Sequence, residues 1–263
     1  MGEMKIWNTT NTMKKLYVEV AGKTALLLYA QVGRHSAPCL QILGHSIVLM
    51  FFDRGGSLLT MPIDINQQSE EFLHILVGLL CAPLSHLRFN ETVLWEKDGK
   101  KCVLVAWHGD SAEGGEVVLD KLIFISDALH GCGTTVWAAL MYPPSSQPQQ
   151  PLHQIVVKDS WIDPLWKFTK GGILAKLNKA GVEGVPRLIH EQQVQGPHPS
   201  IPNLNVNQST HIIPTLLSQV NAHNYHIHVL SRLLTEPLGQ EIMNFSSLAE
   251  LLVAFIDYVL SGF

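Results

Sequence analysis

The chain has 263 residues, 46% of them apolar and 15% charged, with a formal net charge of −4. That length allows one large domain or two small ones with a proper core, and the charge leaves no basic footprint for nucleic acid or an anionic membrane. No apolar run approaches the roughly 20 residues of a membrane-spanning helix. With charged residues well under the roughly 25% of an average globular chain, the apolar excess predicts a face that something else covers.

Four scattered cysteines, Cys39, Cys81, Cys102 and Cys132, include no Cys-x-x-Cys pair and predict neither a zinc site nor a disulfide framework. The opening Met1 to Trp7 has no apolar signal core, and Ile6 stands where a myristoylation signal needs Ser or Thr. An intracellular protein, cytoplasmic or nuclear, is expected.

In chain order, Lys15–Val20 alternates weakly and predicts a strand. Ala25–Gln31 is a short helix former. Two apolar strands follow, Cys39–Leu43 and Ile47–Phe52, joined by Gly44-His45; Asp53-Arg54-Gly55-Gly56 turns the chain, and Leu58–Ile63 returns as another strand. Ser69–Leu80 predicts a helix with Phe72, Leu73, Leu76, Leu79 and Leu80 on one face. Val93–Trp95 and Val103–Trp107 form a hairpin around Asp98-Gly99. A strand followed by a helix and antiparallel strands, with Glu19 and Lys23 at the first junction, resembles a restriction-endonuclease-like core. Such a site needs acids and a lysine around a divalent metal, but Ala21 interrupts the Glu-x-Lys spacing, and a solvated strand end accounts for both residues equally well.

Asp110–Glu116, polar and Gly-rich, is the linker candidate. Beyond it come an apolar strand around Leu122–Ile125, a turn with Gly131 and Gly133, a strand from Thr134 to Ala138, a Pro-rich loop, and a strand Ile155–Trp161 that presents Lys158. Glycines let backbone approach phosphate oxygens, and a lysine on a neighbouring strand can neutralise them; the same glycines also fit a plain hairpin turn. Asp163-Pro164 predicts a helix start, with Asp163 as N-cap, running to about Asn178. Val185–His190 reads as a strand, Gln195–Val220 as a mobile insert, and Tyr225–Leu230 as a strand whose His226 and His228 lack a third metal ligand. Ser247–Glu250 is a capping box, and Leu248, Leu251, Leu252, Phe255, Ile256, Val259 and Leu260 follow at helical spacing.

Gly131-Cys132-Gly133-Thr134-Thr135-Val136 followed by Val156-Val157-Lys158-Asp159-Ser160-Trp161 resembles the fungal-type protein kinases, and so do Phe52–Gly56 with Phe72-Leu73 upstream and Arg232–Gly239 downstream. The resemblance covers nearly the whole chain. It implies an α+β fold: an N-terminal α/β domain with an antiparallel meander over 1–109, a linker over 110–116, a kinase-like N-lobe of antiparallel sheet plus one helix over 117–231 with an insert at about 195–220, and a lobe connection with the first helix of an incomplete C-lobe over 232–263. It also implies a weak ATP site at Gly131, Gly133, Thr134, Val136 and Lys158, with adenine against the backbone of the 232–239 connection. The helix glutamate of kinases should fall near Thr169-Lys170-Gly171, where this chain has Lys170 and no acid between Pro164 and Val182.

No His-Arg-Asp-like motif follows, and no Asp follows Asp257. Phosphoryl transfer depends on such acids for positioning and metal binding. The expectation is therefore a truncated or pseudokinase-like chain that does not hold Mg²⁺ or catalyse transfer alone; only complete relatives would phosphorylate protein Ser or Thr. The alternative is a non-enzymatic interaction module. In either case a protein partner, or the missing C-lobe, would dock on the apolar face of the last helix, with no nucleic acid or membrane involved.

Overall fold

The computed structural model describes residues 2–5, 10–83, 87, 89–95, 101–105, 115–141, 153–197, 201, 204–210, 227–239 and 244–260. They form an α+β protein on mostly antiparallel sheets. Strand β1 (Gly2–Lys5) pairs in parallel with β2 (Ser36–Leu43), which continues antiparallel to β3 (Ser46–Asp53) and β4 (Gly56–Leu59); β5 (Ile63–Asp64) also pairs with β3. The Gly44-His45 turn and the Asp53–Gly56 turn sit where the sequence places them. Asp53 Oδ1 accepts from the Gly55 and Gly56 N–H groups at 2.7 and 3.0 Å, which closes the second turn. Where one strand was expected over Leu58–Ile63, the return is split into β4 and β5.

Helix α1 spans Thr10–Ala30, so the strand expected at Lys15–Val20 is corrected. Leu16, Val20, Thr24 and Leu28, spaced by four, make one buried line along it, and this helical period outlasts a six-residue alternation. Val20 and Leu28 pack on Ala37, Cys39, Val48, Met50 and Phe52 of the first sheet. Glu19 and Lys23 pair across one turn at 3.1 Å, each well exposed, so they are a solvated helix face and the nuclease-like arrangement is gone. Helix α2 (Ser69–Cys81) forms as expected, without a fully buried residue.

The second sheet has seven strands: β6 (Val93–Trp95), β7 (Lys101–Val105), β8 (Gly115–Ile125), β9 (Thr135–Met141), β10 (His153–Ile162), β11 (Arg187–Gln193) and β14 (Val229–Glu236), in the order β11-β14-β10-β9-β8-β7-β6. The β6–β7 hairpin, expected in the N-terminal domain, joins this sheet through β7–β8 pairing, and Gly115 and Glu116 of the expected linker are already in β8. The tips expected at Asp98-Gly99 and Trp107, the rest of the linker, and the Pro-rich loop after Met141 lie outside the described residues. Arg232, expected in a connection between lobes, is in the middle of β14, hydrogen-bonded to β10 and β11 on either side. One face of this sheet, with Val103, Val105, Val117, Leu119, Trp137, Ala139, Ile155, Val157 and Leu234, forms the second core, against which Val32 also packs.

Helix α3 is Lys170–Lys179, not a helix from Asp163. Asp163 instead closes a local turn, its Oδ1 accepting from Leu165 N–H at 2.8 Å, and Thr169 is the N-cap, accepting from Gly172 N–H at 3.0 Å. Within the expected insert, β12 (Gln195–Pro197) and β13 (Asn205–Asn207) form a small hairpin. The strand expected from Tyr225 begins at Val229; His226 is outside the described residues. Helix α4 (Leu248–Leu260) carries the expected cap, Ser247 Oγ accepting from Glu250 N–H at 3.2 Å while the Glu250 carboxylate accepts from Ser246 N–H at 2.7 Å. Among the described residues no helix is long and apolar enough to cross a membrane.

Candidate functional site

Residues paired directly across neighbouring strands point to the same face of a sheet. Phe124, Val136, Lys158, Leu233 and Glu191 form one such row, from β8 across β9, β10 and β14 to β11. Ile125, Thr135, Asp159, Arg232 and Gln192 form the next row, on the opposite face. Lys158 thus sits at the centre of the face away from the second core. Val156, two residues before it, and Ala138, paired with Val156, extend that face with apolar surface towards Thr235 and the 237–239 segment.

Helix α3 is fastened to β11 at both ends, Asn178 Oδ1 accepting from Leu188 N–H at 2.8 Å near its C-terminus and Glu191 holding its first turn. Glu191 Oε2 accepts from the Thr169 hydroxyl at 2.6 Å, and its Oε1 accepts from Gly171 N–H at 3.1 Å. Gly171 is buried there, and a Cβ on it would meet Glu191 atoms at 2.5 Å. The first residue of the helix, Lys170, is a neighbour of Lys158. Burial, then the Lys170 amine as neighbour, lower the Lys158 pKa to about 8, while the Cys132 thiol acts the other way. Burial disfavours an ammonium and a second cation disfavours it further.

The other predicted residues divide between the two faces. Val136 flanks Lys158. Thr134 precedes β9, its carbonyl accepting from Ser126 N–H at 2.8 Å. Gly131 and Gly133 have φ of 92° and 44°, a region glycine reaches freely. They are engaged by the turn of the first sheet: Gly131 N–H donates to the Arg54 carbonyl at 3.2 Å, and the Arg54 guanidinium donates to the carbonyls of Ala128 and Leu129. A Cβ on Gly133 would lie 2.5 Å from Arg54 Nε. Glycine at 133 thus admits Arg54, which is 5% exposed and whose pKa burial lowers.

Behind Lys158, Arg232 makes a two-pronged ion pair with Asp159, Nε to Oδ1 and Nη2 to Oδ2 both at 2.8 Å, and reaches Thr92 Oγ1 at 3.2 Å. Arg232 is fully buried. The sequence offered one signal for this pair, an acid beside the strand lysine, but its partner lies 73 residues away. Two cavities among the described residues border this region: one of about 40 Å³ against Asp159 and Trp161, and an open one of about 730 Å³ beside Thr169, Glu191 and Asn205. Among the described residues no group of three His, Cys, Asp or Glu side chains is placed to hold a metal ion, and the cysteines are free.

An antiparallel sheet with a glycine turn after its β8 strand, a lysine at the centre of β10 and a helix laid over that lysine is consistent with a kinase-like fold. The chain belongs to the fungal protein kinase family: the family model described as "Fungal protein kinase" matches residues 1–261, essentially its whole length. No curated protein and no solved structure matches it.

Proposed function

We propose that this chain is a kinase-type nucleotide-binding domain, in which residues 117–236 form the lobe that receives ATP and residues 237–239 lie at the adenine end. The observation that carries the reading is the position of Lys158: mid-strand, half-buried, on the sheet face that α3 covers. Val156, Ala138 and Leu233 supply apolar surface for a base on that face, and Lys158 supplies charge for phosphates one level further along the strand. ATP would bring its phosphate chain as the anion. Phosphoryl transfer also needs a proton-accepting Asp and acids that hold Mg²⁺, so the proposal is confined to nucleotide binding.

A thermal-shift titration with ATP, with and without Mg²⁺, tests it. A ligand that binds the folded state raises the midpoint as RT ln(1 + [L]/Kd). Wild type should shift and Lys158→Ala should not; a folded wild type that does not respond to millimolar ATP overturns the reading.

A second reading rests on α4. Leu248, Leu252, Val253, Phe255 and Ile256 are each at least half exposed, Leu248 the most at 72%, an apolar stripe suited to a protein partner. Concentration-dependent association that Leu252→Ser abolishes and ATP leaves unchanged would favour this interaction module.

A further inference from the structure

We propose that the surface from Leu165 to Lys179 is a docking site for an acidic segment of a partner protein, one that sets aromatic or aliphatic side chains between its carboxylates. Exposed apolar side chains stand there among lysines that no carboxylate neutralises. Leu165 is 88% exposed, and Trp166, Phe168 and Ile173 are each about half exposed. Lys167 and Lys176 stand over the Phe168 ring, their Nζ atoms 5.3 and 4.4 Å from its centroid. Lys176 thereby joins the segment before α3 to the exposed side of the helix, where Ile173 lies one turn away. Lys167, Lys170, Lys176 and Lys179 are all exposed, and no Asp or Glu lies between Pro164 and Val182. Among the described residues none of the four is in an ion pair with a carboxylate. Of the acids that border the segment, Asp163 accepts from Leu165 N–H, and Glu191 from the Thr169 hydroxyl and Gly171 N–H.

Charge decides what fits. Lys176 and Lys179 suit the C-terminal end of their helix, but Lys167 and Lys170 stand at the end where the helix dipole disfavours a cation. Their charge therefore does not serve α3, and carboxylates from outside would neutralise it. The aromatic and aliphatic surface between the lysines is of the kind that protein interfaces cover, so a segment with both chemistries matches the whole patch. The chain as a whole carries a net charge of −4, so an extended anionic surface such as a bilayer or a nucleic acid would repel the rest of the molecule. A short acidic segment touches the cationic patch alone.

Panning a displayed library of random peptides on the wild-type chain tests this. The enriched peptides should combine Asp or Glu with aromatic or aliphatic residues. A fluorescently labelled copy of one should bind wild type, and bind the Lys167→Glu/Lys176→Glu double variant about tenfold or more weakly. Its affinity for wild type should fall as salt rises. The Leu165→Ser/Trp166→Ser double variant, which keeps the lysines, should also lose affinity but retain the salt dependence. The four side chains are on the surface, and circular dichroism would show both variants folded. No enrichment, enriched peptides without acids, or undiminished binding by either double variant would overturn the proposal. So would sedimentation of wild type with phosphatidylserine vesicles that the lysine variant loses, which would assign the surface to lipid. Self-association lost in the same variant would overturn it too, by making the occupant a second copy of the chain.

Discussion

Lys158 places a cost on the folded chain at neutral pH. Its pKa is brought down from the ordinary 10.5 to about 8 by burial first and Lys170 second. Between those values the unfolded chain binds more protons than the folded one, so stability rises with pH across that window, and the penalty is fully present below pH 8. Lys158→Met should therefore melt at a higher temperature than wild type at pH 7 and show a flatter rise between pH 8 and 10.5. Thermal melts across that range measure it. The groups facing Lys158 are Lys170 and Cys132, with uncharged Val136 and Leu233 alongside. On the opposite face, Asp159 and Arg232 make a pair whose separation leaves a charge stranded. Asp159→Ala should cost about 3 kcal/mol in urea unfolding, and the double variant with Arg232→Met less than the sum of the two singles.

At the scale of elements, the fit of α3 to β11 depends on one missing methyl. An exposed Gly→Ala change inside a helix usually stabilises by up to about 1 kcal/mol. At Gly171 the sign reverses, because the added carbon meets the Glu191 carboxyl at 2.5 Å and its Cβ at 2.8 Å, and the latter cannot swing away. Gly171→Ala should destabilise by about 1–3 kcal/mol and weaken ATP binding with it. Elements closed by their own turns were legible in the sequence: β2–β3 around Gly44-His45, β9, β10, α2, and α4 with its Ser247 cap. Those decided by distant contacts were not. The line Leu16, Val20, Thr24, Leu28 becomes visible only over more than three turns, and Lys15–Val20 imitates a strand. Asp163 looks like a cap but spends its carboxylate on Leu165, while the actual cap, Thr169, is chosen by Glu191 on another strand. Of the candidate site, the strand that carries Lys158 was legible; the Asp159–Arg232 pair and the Arg54 contact were not, since nothing local marks them.

At the scale of the whole molecule, Arg54 ties the first sheet to the second. A turn arginine reads as a solvated charge, yet this one is buried beneath the β8–β9 turn. Its presence separates the two glycines. Gly131→Ala adds only the backbone cost of positive φ, about 1–2 kcal/mol, since nothing lies within 4 Å of the new carbon. Gly133→Ala adds a collision with Arg54 as well and should be the more destabilising of the two; combining it with Arg54→Ala should remove the excess, which chemical denaturation of the single and double variants would show.

The hydrogen bond from Gly131 to Arg54 also makes that amide a gauge. Its proton can exchange with solvent only when the first sheet lifts from the β8–β9 turn, so its protection measures the free energy of that opening independently of global unfolding. Hydrogen–deuterium exchange over residues 126–134 should be slow in wild type and fast in Arg54→Ala, while β10, bonded on both sides, stays protected in each. The same amide turns the docking of two sheets into a rate that can be followed in real time.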